Sequence, residues 1–137
     1  MSNLIIASQF NLNPTSLTNK LLSLVEEGWI DDSPSILLPV NRVRDITANT
    51  IAKVAVNFNL TIHEYHALWQ CYDEPCQIRY NGFGKYNALA GNTRNLLMAN
   101  DCTHALIIWN GEDRDLNELI RILKINGKHL QVELVHV

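Results

Sequence analysis

Aliphatic runs alternate with amphipathic stretches along almost the whole chain. LIIAS (4–8) is a short apolar run that stops at polar residues. In NPTSLTNKLLSLVEEG, Leu17, Leu21, Leu24 and Val25 fall at i, i+4, i+7 and i+8, which lays one apolar stripe on a helix. Asn13 is the natural N-cap, Pro14 fits the first helical position and Gly28 supplies the stop. The same logic repeats: SILLPV (35–40) predicts a second strand, and DITANTIAKVAVNFN predicts a helix capped by Asp45, with Ile51, Ala55 and Phe58 at helical spacing. LTIHEYHAL (60–68) reads as a third strand. A long polar and aromatic segment then leads to a helix starting near Gly91. HALIIWN (104–110) predicts a fourth strand, DLNELIRILKING places Leu116, Leu119, Ile120 and Leu123 on one helix face, and HLQVELVHV closes as a fifth strand.

Nearly unbroken aliphatic strands separated by helices predict a parallel sheet buried on both faces. The expected fold is therefore α/β: a three-layer, Rossmann-like domain with a five-stranded, mostly parallel sheet and helices on both sides. At 137 residues, residues 1–137 form one domain, long enough to bury a core without disulfides or metal. Right-handed crossovers put every strand's C-terminal end on one edge, where ligands of open α/β sheets bind. Candidate residues should therefore follow the strands: Ser8 and Gln9, 39–45, 66–94 and 110–115.

Composition narrows the setting. With 47% hydrophobic and 18% charged residues the chain is globular, and no segment approaches the roughly 20 apolar residues of a membrane span. MSNLIIASQF has no basic start followed by a long apolar stretch, so the expectation is a cytoplasmic protein. The three cysteines, Cys71, Cys76 and Cys102, are irregularly spaced and are expected to be reduced. A net charge of −3 gives no global attraction to nucleic acid, so any anion must be held by a local device.

Several clusters could supply such a device. Gly91, Arg94 and Asn95 open a helix, whose first amides and partial positive charge favour anions, and Arg94 adds forked donors. The same residues fit a structural role in which Arg94 pairs with a carboxylate and Asn95 ties down the neighbouring loop. Arg42 and Arg44, in NRVRD, either bind phosphate bidentately or pair with Asp45 or Glu112. IRYNGFGKY (78–86) interleaves Arg79 and Lys85 with Tyr80, Phe83 and Tyr86; it reads as a lid with glycine hinges at 82 and 84, or as a stacking surface for bases. His63, His66, Cys71 and Cys76 are zinc-capable residues, but a strand puts the two histidines on opposite faces, and the cysteines lack the tight spacing of structural sites. No metal is expected.

The stretch GKYNALAGNTRNLLM (84–98), with Trp69 before it, resembles the SLOG superfamily, which joins DprA-like proteins, LOG phosphoribohydrolases and many small nucleotide-binding domains. The positions that carry the resemblance are Trp69, Ala90, Gly91, Arg94, Asn95 and Met98, and then Trp109, Asn110, Gly111 and Arg114 in HALIIWNGEDR. The resemblance spans nearly the whole chain. It departs at three turns: Ala7, Ser8 and Gln9 stand for glycine-serine-arginine, PVNRVRD keeps only Asp45 of a glycine-rich loop, and Asp115 and Leu116 stand for glycine-threonine.

The resemblance implies a domain that binds or senses a nucleotide or nucleotide-derived ligand and that pairs as a homodimer. No other cofactor is implied. Phosphate would be held by Arg94 and the amides after Gly91, with Asn95 orienting the loop or ribose. Asn110 and Gly111, with Arg114, would form the opposite wall; Ser8, Arg42 and Arg44 would line the remaining loops, and Trp69 or an aromatic of the 80–86 loop would cover the base. Two alternatives accompany this reading. One is a nucleotide N-glycosidic hydrolase or transferase using Glu118, with Glu112 as the other acidic candidate. The other is an interaction protein of a phage or other mobile element that keeps the fold without the ligand, a role the missing glycines favour.

Overall fold

The computed structural model describes residues 2–41 and 44–135. Their central sheet has five strands in the order β3-β2-β1-β6-β7, and every pairing in it is parallel. These strands are β1 (Asn3–Ser8), β2 (Ser35–Val40), β3 (Ile62–His66), β6 (His104–Trp109) and β7 (His129–Leu134). The helices are α1 (Pro14–Glu26), α2 (Ile46–Asn57), α3 (Ala90–Asp101) and α4 (Arg114–Ile125). The fold is the expected three-layer, Rossmann-like α/β domain. No helix among the described residues is long and apolar enough to cross a membrane.

The alternation of side chains along β1 explains the layers. Leu4 and Ile6 point into a cluster with Leu17, Leu24, Ile51 and Ala55 of α1 and α2, whereas Ile5 and Ala7 meet Met98, Leu119 and Leu123 of α3 and α4. Both faces are thus buried, which is why the central strands read as aliphatic runs rather than alternations.

Local signals set the helix ends. Asn13 Oδ1 accepts from the amides of Thr15 and Ser16, Asp45 Oδ1 accepts from Ala48 N, and Asp113 Oδ1 accepts from Leu116 N. Gly28, with φ +75°, follows α1 in the left-handed conformation that ends helices. Helix α2 stops before Phe58, which caps its C-terminus and is exposed.

The third strand is shorter than the 60–68 expectation, and the fifth ends at Leu134. The larger difference lies in 78–87. Instead of a hinged loop, the segment is an antiparallel hairpin of β4 (Ile78–Asn81) and β5 (Gly84–Asn87) outside the main sheet. It buries no apolar face, so no hydrophobic period marks it. Its two loop residues are Gly82 and Phe83, between the paired Asn81 and Gly84, and a glycine opening a two-residue loop was the available hairpin signal.

At the N-terminal end of the sheet the His104 ring stacks on His129, with centroids 4.8 Å apart, and meets the edge of Trp29 at the same distance. Burial, and then the charge of His129, push the His104 pKa down; a hydrogen bond to the Trp29 backbone and the Asp31 carboxylate oppose this. The folded state therefore resists a proton that the unfolded chain accepts, and stability falls as pH drops below about 6.5. We expect the Tm to decline between about pH 7 and pH 5.5, and His104→Phe, which keeps an aromatic stack, to decline less steeply in the same melts. Equal slopes would show that His104 does not govern this range.

Candidate functional site

Strand order reverses between β1, whose chain runs on to β2 and β3, and β6, which leads to β7. A crevice opens outside the strands' C-terminal ends at such a reversal. Here it is a cleft with two lobes that share Pro39, Asn41, Asp45 and Trp69. The inner lobe, about 370 Å³, reaches Ser8, Gln9, Arg94, Asp113 and Asp115. The outer lobe, about 500 Å³, extends to Ala48 and to Asn81 and Tyr86 of the hairpin. Each volume is in the range of small-molecule sites.

Arg94 forms the floor and is 3% exposed. Its Nε donates to Asn95 Oδ1 (2.8 Å), one terminal nitrogen donates to Val40 O (3.3 Å) and Asn41 Oδ1 (3.0 Å), and the other to both oxygens of Asp115 (3.2 and 3.4 Å). Asn95 Nδ2 donates to Asp115 Oδ1 at 2.9 Å and closes the cycle. Burial lowers the Arg94 pKa and Asp115 opposes that shift, but a guanidinium stays protonated at any ordinary pH. One side chain on α3 thus joins the end of β2 to the first turn of α4. Of the structural role open for Arg94 and Asn95, the carboxylate pairing is present, while Asn95 bonds to the first turn of α4 rather than to a loop.

Gly91 is buried beneath the same group. A Cβ there would lie 3.6 Å from the Trp69 ring and 3.7 Å from Arg94 and Asp115, in ordinary contact. Trp69, Arg94 and Asp115 therefore lie beside Gly91 in the first turn of α3, which has no side-chain cap.

Trp69 forms the wall between the lobes. Its Nε1 donates to Asn41 O at 3.2 Å, and its ring meets Tyr86 edge to face at 6.4 Å. Buried Asn87 holds this wall in place: its Oδ1 accepts from the amides of Gln77 and Leu89, its Nδ2 donates to Cys71 O, and its own amide donates to Trp69 O. Ser8 lines the inner lobe but exchanges both of its hydroxyl hydrogen bonds with the Phe10 backbone.

Other candidates lie elsewhere. Arg44 pairs with Glu64 on β3, which holds the Glu64 carboxyl below its usual range, and it lines a groove along α2 rather than the cleft. Arg42 lies outside the described residues. Asn110 turns back on its own loop, its Oδ1 accepting from Glu112 N, while its amide donates to Gln9 Oε1. Gly111, with φ +90°, packs towards Leu134, and Arg114 starts α4 with an exposed side chain. Glu118 accepts from Asn92 Nδ2 across the α3–α4 contact, and neither it nor Glu112 is among the described residues lining the cleft. No three metal-ligating side chains gather among the described residues: His66 contacts Glu64, Cys71 lies near Asp73, and all three cysteines are unpaired.

Asn41 and Asn87 fall within the candidate stretches 39–45 and 66–94 but are not singled out there. Asn41 could have been found from its place directly after β2; Asn87 carried no such signal. No protein-family model matches the chain, and no curated protein matches it.

Removing the guanidinium strands the acceptors at Val40, Asn41 and Asn95. Arg94→Ala should cost about 2–4 kcal/mol in denaturant unfolding, and Arg94→Lys, which cannot fork, should recover only part of it. Gly91→Ala should leave stability unchanged or raise it by up to about 1 kcal/mol in the same assay, because the new methyl meets open contact distances within a helix.

Proposed function

We propose that this domain binds a nucleotide or nucleotide-derived small molecule in the cleft at the C-terminal edge of its sheet. The observation that carries the reading is the cleft itself: it lies at the strand-order reversal and combines an aromatic wall, Trp69 with Tyr86, with a hydrogen-bonded polar floor of buried Arg94 and half-exposed Asp115, both held by Asn95 behind them. Flat aromatic faces suit a planar heterocycle, and fixed polar groups give orientation. The likeness of Ala90–Met98 to the SLOG helix start supports the same reading. Glu118, hydrogen-bonded between helices away from the cleft, supplies no support for glycosidic cleavage.

Thermal-shift measurements with nucleosides, nucleotides, dinucleotides and cyclic oligonucleotides test the proposal. A ligand at a hundredfold excess over its Kd adds about 2.7 kcal/mol of stability, enough to raise the Tm by several degrees. At least one class should do so, and Trp69→Leu should reduce that shift. No shift from any class would overturn the reading.

A further inference from the structure

Resting on that reading, we infer that the cleft recognises the uncharged, donor-rich nucleoside portion of its ligand and leaves phosphate outside. Phosphate sites at sheet edges draw on free helix N-terminal amides and on cations without a fixed partner. The cation is committed here, and so is one capped amide at each of α2 and α4. The Ala48 amide of α2 is taken by Asp45, and the Leu116 amide of α4 by Asp113. Arg94 uses its Nε and both terminal nitrogens on Asn95, Val40, Asn41 and Asp115. The first turn of α3 has no side-chain cap, but a carboxylate oxygen of Asp115 stands beside it, 3.7 Å from where a Cβ on Gly91 would lie, and disfavours an anion there.

The charge of the lining points the same way. Among the described residues lining the two lobes, Asp45, Asp113 and Asp115 oppose Arg94 alone, so three carboxylates and one guanidinium leave a formal charge of −2. A phosphate dianion entering this field would meet repulsion in a partly desolvated space. Ionised carboxylates are acceptors only, and therefore match hydroxyl, amino and ring N–H donors. The Asp115 carboxylate is 52% exposed even while paired with Arg94, so it keeps acceptor capacity towards the cleft. Trp69 and Tyr86 provide the apolar face for the ring that bears such donors. Together these features select a nucleoside over its monophosphate.

Calorimetric titration of the chain at low ionic strength with adenosine, guanosine, cytidine and uridine, and with the matching 5′-monophosphates, tests this. At least one nucleoside should bind about tenfold or more tightly than its monophosphate. That ratio should fall severalfold in Asp45→Asn, which keeps the α2 cap because asparagine caps as well as aspartate. Asp115→Asn provides a second measurement, with folding checked by circular dichroism, and should lower the ratio in the same direction. A monophosphate that binds more tightly than its nucleoside, or a ratio unmoved in both variants, would overturn the inference while leaving the nucleotide-type site intact. Binding of neither series, nor of dinucleotides or cyclic oligonucleotides, would remove the site and the inference together.

Discussion

The C-terminal edge of this domain is organised around a single buried cation. Arg94 ties α3 to the end of β2 and to the first turn of α4, so three segments far apart in sequence share one guanidinium. A charge that deep is tolerable only when it is paired and its remaining donors are met, and Asp115, Asn41, Asn95 and the Val40 carbonyl meet them. The geometry of the cleft follows. Asn41, fixed from below by Arg94, presents its carbonyl to Trp69, and Trp69 in turn positions the aromatic wall. The network is polar where the two aliphatic layers end at this edge.

The layers were legible because their physics is local. Strands covered on both faces must be continuously apolar, and LIIA, ILL and ALII announce this without reference to anything distant. Helix caps at Asn13 and Asp45 act over three residues and were equally visible. The hairpin was not, because strands that bury nothing leave no hydrophobic period. The site was half legible: the edge and the residues Arg94, Asn95 and Trp69 could be named, but the partner of Arg94 could not. Asp115 lies 21 positions on, and only the packing of α3 against α4 brings the two together. Arg44 shows the converse, since it follows a strand at the right edge and then turns to Glu64 on the neighbouring strand.

The two ends of the sheet are chemically distinct. Parallel strands place all N-termini together, and there the imidazoles of His104 and His129 stack beside Trp29. At the other end carboxylates cap α2 and α4. One end thus carries stacked aromatic and imidazole rings, and the other carries capping carboxylates. Among the described residues, the fully buried members of the two apolar clusters include the Cys102 thiol, whose pKa burial raises, and Tyr65 packs against one of them.

The hairpin hangs outside this scheme. Neither β4 nor β5 joins the main sheet or contributes to either apolar cluster, and Asn87 is the hairpin's one buried residue. Changes in its length or sequence upstream of Asn87 would reshape the outer wall of the cleft without removing a core contact. In evolutionary terms the chain separates what must stay constant for folding from what is free to vary, so related domains could differ through residues 78–86 while keeping the same core.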